Sequence, residues 1–421
     1  MVDLKGNRRD LLVWVGWSCL TWLLPPLASR AAERRGVERP KSLIVLWLAG
    51  GPSQLETWDP HPGTMIGGPT QAIPTSQPGI VIAADFPQIA DRLQHLAVLR
   101  SLVSQEGDHE RGSYLMKTGY RPDPTVRHPA LGSVLVHEKP ARELDIPPFI
   151  SLGNDPFPSR GGYLGDQYDP YRIIQPGERG QNLRPRVSAE RQQRRLEGLS
   201  LVNRIFREHR QQRVEQTLHE HTLEAALKMM SSPQLRAFSL DEEPVAVRAR
   251  YGDSDFGRGC LVARRLIETG VRVVEVTLGG FDTHIDNFTG HRLRAPLVDA
   301  ACAALIDDLR ERDLWESTII WVTGEFGRTP QINPAEGRDH WPHGFACLVG
   351  GGGLRGGITL GATDPEGKRR EPEHPIRVVD FHATLLAALG VEPSTEKLTP
   401  IGRPLKFSEG KILRELWEPQ S

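Results

Sequence analysis

From Lys41 onward, short apolar runs alternate with stretches of helical period. Ser42 to Ala49 is nearly continuous apolar sequence closed by Gly50-Gly51, as a strand buried on both faces requires. Phe86 to Leu96 has helical spacing and leads into a second strand, Leu96 to Ser101. Gly257 to Thr269 predicts a helix stopped by Gly270, followed by a strand over Val271 to Leu278. Pro296 to Arg312 predicts another amphipathic helix, feeding the strand Thr318 to Thr323. Phe345 to Val349 predicts a further strand and Val379 to Leu389 a closing helix. Strands alternating with helices in this way predict an α/β fold, a mostly parallel sheet flanked by helices on both faces.

Other segments depart from this rhythm. Ser188 to Met230 is a long polar tract of helical period whose charges alternate in sign, predicting a helical insertion (188–230) with a solvated face. Asp123 to Asn182 is loop-rich and predicts an ordered cover. A single domain over residues 41–395 and a C-terminal tail over 396–421 complete the expected organisation. At the amino end, Arg8-Arg9 directly precedes an apolar stretch, Leu11 to Ala28, broken by Gly16, Ser18, Pro25 and Pro26. This reads as a twin-arginine export signal over residues 1–32, with small residues at Ala28-Ser29 and Ala31-Ala32 for a peptidase. The protein is therefore expected outside the cytoplasm, with membrane contact only through this segment if it stays uncleaved.

Lys and Arg number 52 against 53 Asp and Glu, so no basic excess exists to hold a nucleic-acid backbone, and that partner is not expected. Cys19, Cys260, Cys302 and Cys347 are widely spaced without a CxxC pair, which argues against a disulfide scaffold and a thiolate zinc site.

The chemistry-bearing residues follow the predicted strands. Gly50-Gly51-Pro52-Ser53-Gln54-Leu55-Glu56-Thr57-Trp58-Asp59-Pro60 comes after the first. Gly280-Phe281-Asp282-Thr283-His284 follows Leu278, and Gly324-Glu325-Phe326-Gly327-Arg328-Thr329-Pro330 follows Thr323. Gly337-Arg338-Asp339-His340-Trp341-Pro342-His343 lies beyond. Carboxyl ends of parallel strands share one rim, where ligands bind. Recurring Asp, Glu and His there suit a divalent cation with oxygen and nitrogen ligands. Each motif alone also has a bland reading. Asp282-Thr283-His284 fits a turn, Glu325 fits an ion pair with Arg328, and His340 fits a stack on Trp341. Arg328 and Arg338 are candidates to grip a phosphate or sulfate.

These motifs together resemble the domain-of-unknown-function family 1501 of the alkaline-phosphatase/sulfatase superfamily. The similarity runs from Lys41 to the closing helix. It implies an alkaline-phosphatase-like core and a metal pair at the strand ends, with Zn, Mn, Mg or Ca as the divalent ions. Carried onto this chain, it implies Asp282 and His284 as ligands of one metal, Glu325 as an acidic ligand and His340 as a late ligand. Glu56 and Asp339 join them as candidates, and His343 matches less closely. Glu56 stands where the family has Asp.

Asp108-His109-Glu110-Arg111-Gly112-Ser113-Tyr114-Leu115-Met116-Lys117-Thr118-Gly119 resembles the superfamily's nucleophile segment. His109 occupies the nucleophile's place and no cysteine lies nearby, which speaks against a formylglycine mechanism. Nucleophile, metal ligand and acid/base all remain open to His109, as does local packing at a helix start; Ser113 is the nearest hydroxyl.

The expected function is metal-dependent hydrolysis or transfer on a phosphate or sulfate ester, of a small molecule or a polysaccharide. Arg328 or Arg338 would stabilise the transferred group. The alternative is a non-catalytic exported protein that uses the same fold to bind a polysaccharide or a protein partner.

Overall fold

The computed structural model describes residues 41–177, 187–207 and 219–417. The export-signal reading (1–32) lies outside the described residues, as do part of the helical insertion and residues 418–421.

Strand β1 (Ser42–Leu48) is buried along its whole length. Its alternate residues enter two separate cores: Ile44, Leu46 and Leu48 on one face, Leu43, Val45 and Trp47 on the other. Burial on both faces explains the unbroken apolar run, since each fully buried Leu or Ile contributes about 1.5–3 kcal/mol. The remaining sheet strands are β2 (Leu96–Val103), β3 (Phe149–Leu152), β4 (Tyr171–Ile173), β5 (Val273–Leu278), β6 (Thr318–Thr323), β7 (Phe345–Gly351), β8 (Ile358–Leu360) and β9 (Ile376–Arg377).

Their spatial order is β8-β2-β7-β6-β1-β5-β3-β4, with β9 also pairing β2. All pairings are parallel except the two made by β7, which runs antiparallel to β6 and β2. The sheet is thus mostly parallel, as expected. Because β7 is reversed, the segment entering it reaches the rim formed by the carboxyl ends of its neighbours. Residues 339–343 thereby join residues 50–56, 281–284 and 325–328 at one edge.

One face is covered by α3 (Asp255–Thr269) and α4 (Asn287–Glu311), the other by α1 (His109–Thr118), α2 (Leu131–Glu138) and α5 (Val378–Ala388). Ser254 caps α3 by accepting from Gly257 N at 3.0 Å, and left-handed Gly270 ends it. Helix α4 begins nine residues before the expected start at Pro296, which sits inside it. Proline removes one intrahelical hydrogen bond. The first turns are nevertheless anchored by His291 and Ala295, both buried. His291 Nε2 accepts from Ser53 N at 2.9 Å, tying this helix to the loop after β1.

The cover expected over Asp123–Asn182 does more than cover, since it supplies α2, β3 and β4. The expected tail also packs: Phe407 and Leu416 are buried in the second core. Of the insertion, Ala189–Arg207 and His219–Ser231 are helical. Cys260, Cys302 and Cys347 are buried free thiols. No described helix is long and apolar enough to cross a membrane.

Candidate metal centre

Two tight backbone approaches bring the rim loops together. A Cβ on Gly50 would stand 2.4 Å from Asp282 N, and one on Gly337 would stand 1.8 Å from the His284 carbonyl oxygen. Only glycine fits either position. Gly50 N donates to Glu325 Oε1 at 2.9 Å, fixing the loop after β6 to the loop after β1. Gly327–Arg328 and His340–Trp341 pair antiparallel, which sets His340 opposite Arg328. His109 opens α1, capped by Asp108 accepting from Arg111 N at 3.1 Å. Its ring packs on Phe326, with centroids 5.1 Å apart, and Phe326 also lies 4.5 Å from the His340 ring.

Three imidazoles converge on Asp282. His109 Nε2 is 3.3 Å from Asp282 Oδ2, while His284 Nε2 and His340 Nε2 are 3.2 and 3.3 Å from Oδ1. Each ring is held from behind through Nδ1. His109 bonds Glu325 Oε1 at 2.7 Å, His284 bonds Asp339 Oδ1 at 2.8 Å, and His340 bonds the Gly107 carbonyl at 2.7 Å. Those partners are acceptors, so each neutral ring carries its proton on Nδ1 and turns the Nε2 lone pair inward. His284 Nε2 and His340 Nε2 are 2.9 Å apart. His109 Nε2 is buried without a hydrogen-bond partner. Ligand atoms of His109, Asp282 and His340 lie within 4.8 Å of one another. Facing lone pairs around a carboxylate call for a positive charge, and inward Nε2 atoms with partnered Nδ1 atoms are how histidine ligates a metal.

The electrostatics agree. Burial opposes ionisation of Asp282, but the hydrogen bond and charge of Arg328 prevail and bring its carboxyl down to about 2. The hydrogen bond to Glu325 raises His109 above the ordinary imidazole value, against its burial. Burial lowers His340.

Several expected roles change. Glu325 and Asp339 bond the outer nitrogens of His109 and His284, so they reach the cluster through those rings. Glu56 stays out of the cluster: its buried carboxylate accepts from Arg338 Nη2 at 2.9 Å and Thr70 Oγ1 at 3.3 Å. Arg338 is wholly buried and also donates to the carbonyls of Thr329, Pro330 and Ile66. Arg328 is equally buried. It donates to the carbonyls of Gly50, Gly51 and Arg338 and to Asp282 Oδ1 at 2.7 Å. Neither guanidinium is free to grip an ester, because internal acceptors already surround it. His343 accepts from Arg370 Nη2 at 2.6 Å instead of joining the cluster, and Ser113 is buried within α1. The Gly107 carbonyl, which orients His340, is absent from the expected set, and a backbone oxygen carries no side-chain signal.

No curated protein matches the chain. Among solved structures it is similar to a 2-O GAG sulfatase, with 8% identity and a TM-score of 0.42 over 91% of this chain and 76% of that one. It is similar to a protein in the alkaline phosphatase superfamily from Vibrio parahaemolyticus, with 12% identity and a TM-score of 0.39 over 91% and 71%. A third is the C-terminal periplasmic domain of EcEptC from Escherichia coli in complex with Zn, with 10% identity and a TM-score of 0.39 over 90% and 96%. Residues 40–417 match the family described as Protein of unknown function (DUF1501), and the chain belongs to that family.

Proposed function

We propose that the protein is an exported metal-dependent hydrolase or transferase acting on a phosphate or sulfate ester. One observation carries the reading: three histidines, each with Nδ1 partnered, aim Nε2 at Asp282. The donor set fits a borderline cation such as Zn better than Mg or Ca, which prefer oxygen alone. His109, His340 and Asp282, whose ligand atoms lie within 4.8 Å of one another, would hold it, with His284 reaching it from the side of Asp282 and His340. A divalent cation there supplies Lewis-acid polarisation of an ester oxygen.

The chain's own groups prepare that site. Arg328 keeps Asp282 anionic, while Glu325, Asp339 and the Gly107 carbonyl fix the ring tautomers. The buried Phe326 ring packs against both His109 and His340. The Arg8-Arg9 pattern supports placement outside the cytoplasm.

The test combines elemental analysis of the purified protein with a screen of aryl phosphates, aryl sulfates and phosphodiesters. Bound metal and a turnover lost in His284→Ala are expected. Ester turnover that survives both chelation and His284→Ala sinks the proposal. The commitment of Arg328 and Arg338 to internal acceptors favours the second reading, a non-catalytic binding protein. Tight metal without turnover of any ester would leave that reading standing.

A further inference from the structure

A cavity of about 690 Å³ lies along the other side of α1, walled by residues 122–130 and 156–160. Helical spacing separates it from the metal cluster. Arg111, Tyr114 and Thr118, three and four positions apart, line the cavity. A Cβ on Gly112 would instead meet Phe326 at 2.9 Å, on the side where His109 packs. Asp108 is both a lining residue and the neighbour of His109, so the cavity starts one residue from the cluster. Such a volume suits a ligand of one to a few rings.

The lining divides into three kinds of surface. Tyr114 Oη accepts from His128 N at 2.6 Å, and its own proton has no acceptor among the described residues. Arg127 has neither an ion pair nor a side-chain hydrogen bond there, unlike Arg111, Lys117 and Arg160, which are paired with Glu106, Asp155 and Asp169. These two groups are free donors. Asp108, whose Oδ1 caps the helix, and exposed Glu110 offer carboxylate oxygens as acceptors. Phe157, between Pro156 and Pro158, adds an apolar wall. Beneath it, buried Lys117 is fixed by Asp155, by the Phe157 carbonyl at 2.8 Å and by the Trp47 ring at 4.7 Å, so the wall rests on a rigid floor.

Of the lining's four cations, Arg111, Lys117 and Arg160 are paired and only Arg127 is without a partner among the described residues. The cavity thus lacks the row of free cations that a continuous polyanion such as nucleic acid needs. It accepts instead a ligand whose single anionic groups are separated by hydroxyls. We infer that this cavity binds an anionic saccharide. Arg127 and Tyr114 donate to its carboxylate or sulfate, Asp108 and Glu110 accept from its hydroxyls, and Phe157 covers the apolar face of a pyranose ring. Binding here does not require metal; only the step that sets the saccharide's ester beside His109 rests on the function proposed above.

The test is calorimetric titration of the full-length protein with a chondroitin sulfate tetrasaccharide, a tetragalacturonate and neutral cellotetraose. Each titration is run before and after chelation. At least one anionic probe should bind about tenfold or more tighter than cellotetraose. Arg127→Ala should weaken it by about tenfold or more, with Phe157→Ala also weakening it and circular dichroism unchanged. The inference is overturned if neither anionic probe exceeds the neutral one, if Arg127→Ala leaves the affinity unchanged, or if chelation abolishes binding. Failed ester turnover with saccharide binding intact counts against the enzymatic proposal alone.

Discussion

His284 Nε2 and His340 Nε2 face each other across 2.9 Å, with Asp282 Oδ1 3.2 and 3.3 Å from the two nitrogens. Two lone pairs at this separation repel unless a proton or a cation lies beside them. The third inward nitrogen, on His109, favours a cation. His284→Ala should therefore abolish stoichiometric metal in elemental analysis. Asp339→Ala, which removes only the bond behind the ring, should weaken metal affinity by about 10–100-fold. Equal metal content in wild type and His284→Ala would refute the site.

Glu325 acts on the cluster through His109, since its Oε1 bonds the outer nitrogen at 2.7 Å. A residue acting through another shows non-additive effects. Glu325→Ala should cost about 10–100-fold in metal affinity. The double variant Glu325→Ala/His109→Ala should be no weaker than His109→Ala alone. Additive losses in competition titrations would show that Glu325 acts on the site by a second route, through the cation itself or through the loop it holds at Gly50 N.

How much of this was legible in the chain depends on what each residue's signal encodes. Strands β1 and β6 were readable because burial on both faces forces an unbroken apolar run, and observed and expected bounds nearly coincide. β3 and β4, four and three residues long inside a proline- and glycine-rich stretch, carry too little pattern to stand out. Asp282, His284 and His340 were readable only together, as polar groups recurring after strands whose carboxyl ends share one rim, since each motif alone also fits a structural role. Arg338 was misread because the same Gly-Arg-Asp-His motif serves a ligand-gripping arginine and one that is wholly buried. Sequence shows charge but not the carbonyls that surround it. The early start of α4 was hidden by Pro296, whose usual place is the first turn.

The Glu56–Arg338 pair makes a stability prediction. Both side chains are buried, and Arg338 bonds Glu56 Oε1 at 2.9 Å. Removing one partner strands a buried charge, at a cost of about 3–5 kcal/mol. Arg338→Met should lower unfolding free energy in urea by that amount, and Arg338→Met/Glu56→Leu should recover part of it. A loss under about 1 kcal/mol in the single variant would mean that water reaches the pair.

His382 on α5 couples acid stability to the position of α1. Its Nε2 donates to the Met116 carbonyl at 2.7 Å, and complete burial holds its pKa down to about 4, against 6.5 as the ordinary value. Between those values the unfolded chain binds the proton and the folded one does not. Stability from neutral His382 is therefore fully present above pH 6.5 and is lost progressively as pH falls toward 4. The span corresponds to about 3 kcal/mol. Urea unfolding of wild type and His382→Gln should show a stability difference that shrinks or reverses by that order between pH 7 and pH 4, and levels off below. A difference that stays constant with pH would place the acid sensitivity elsewhere. Since Met116 belongs to the helix that His109 opens, acid should also loosen this helix, and its amide hydrogen exchange should accelerate in wild type but not in His382→Gln.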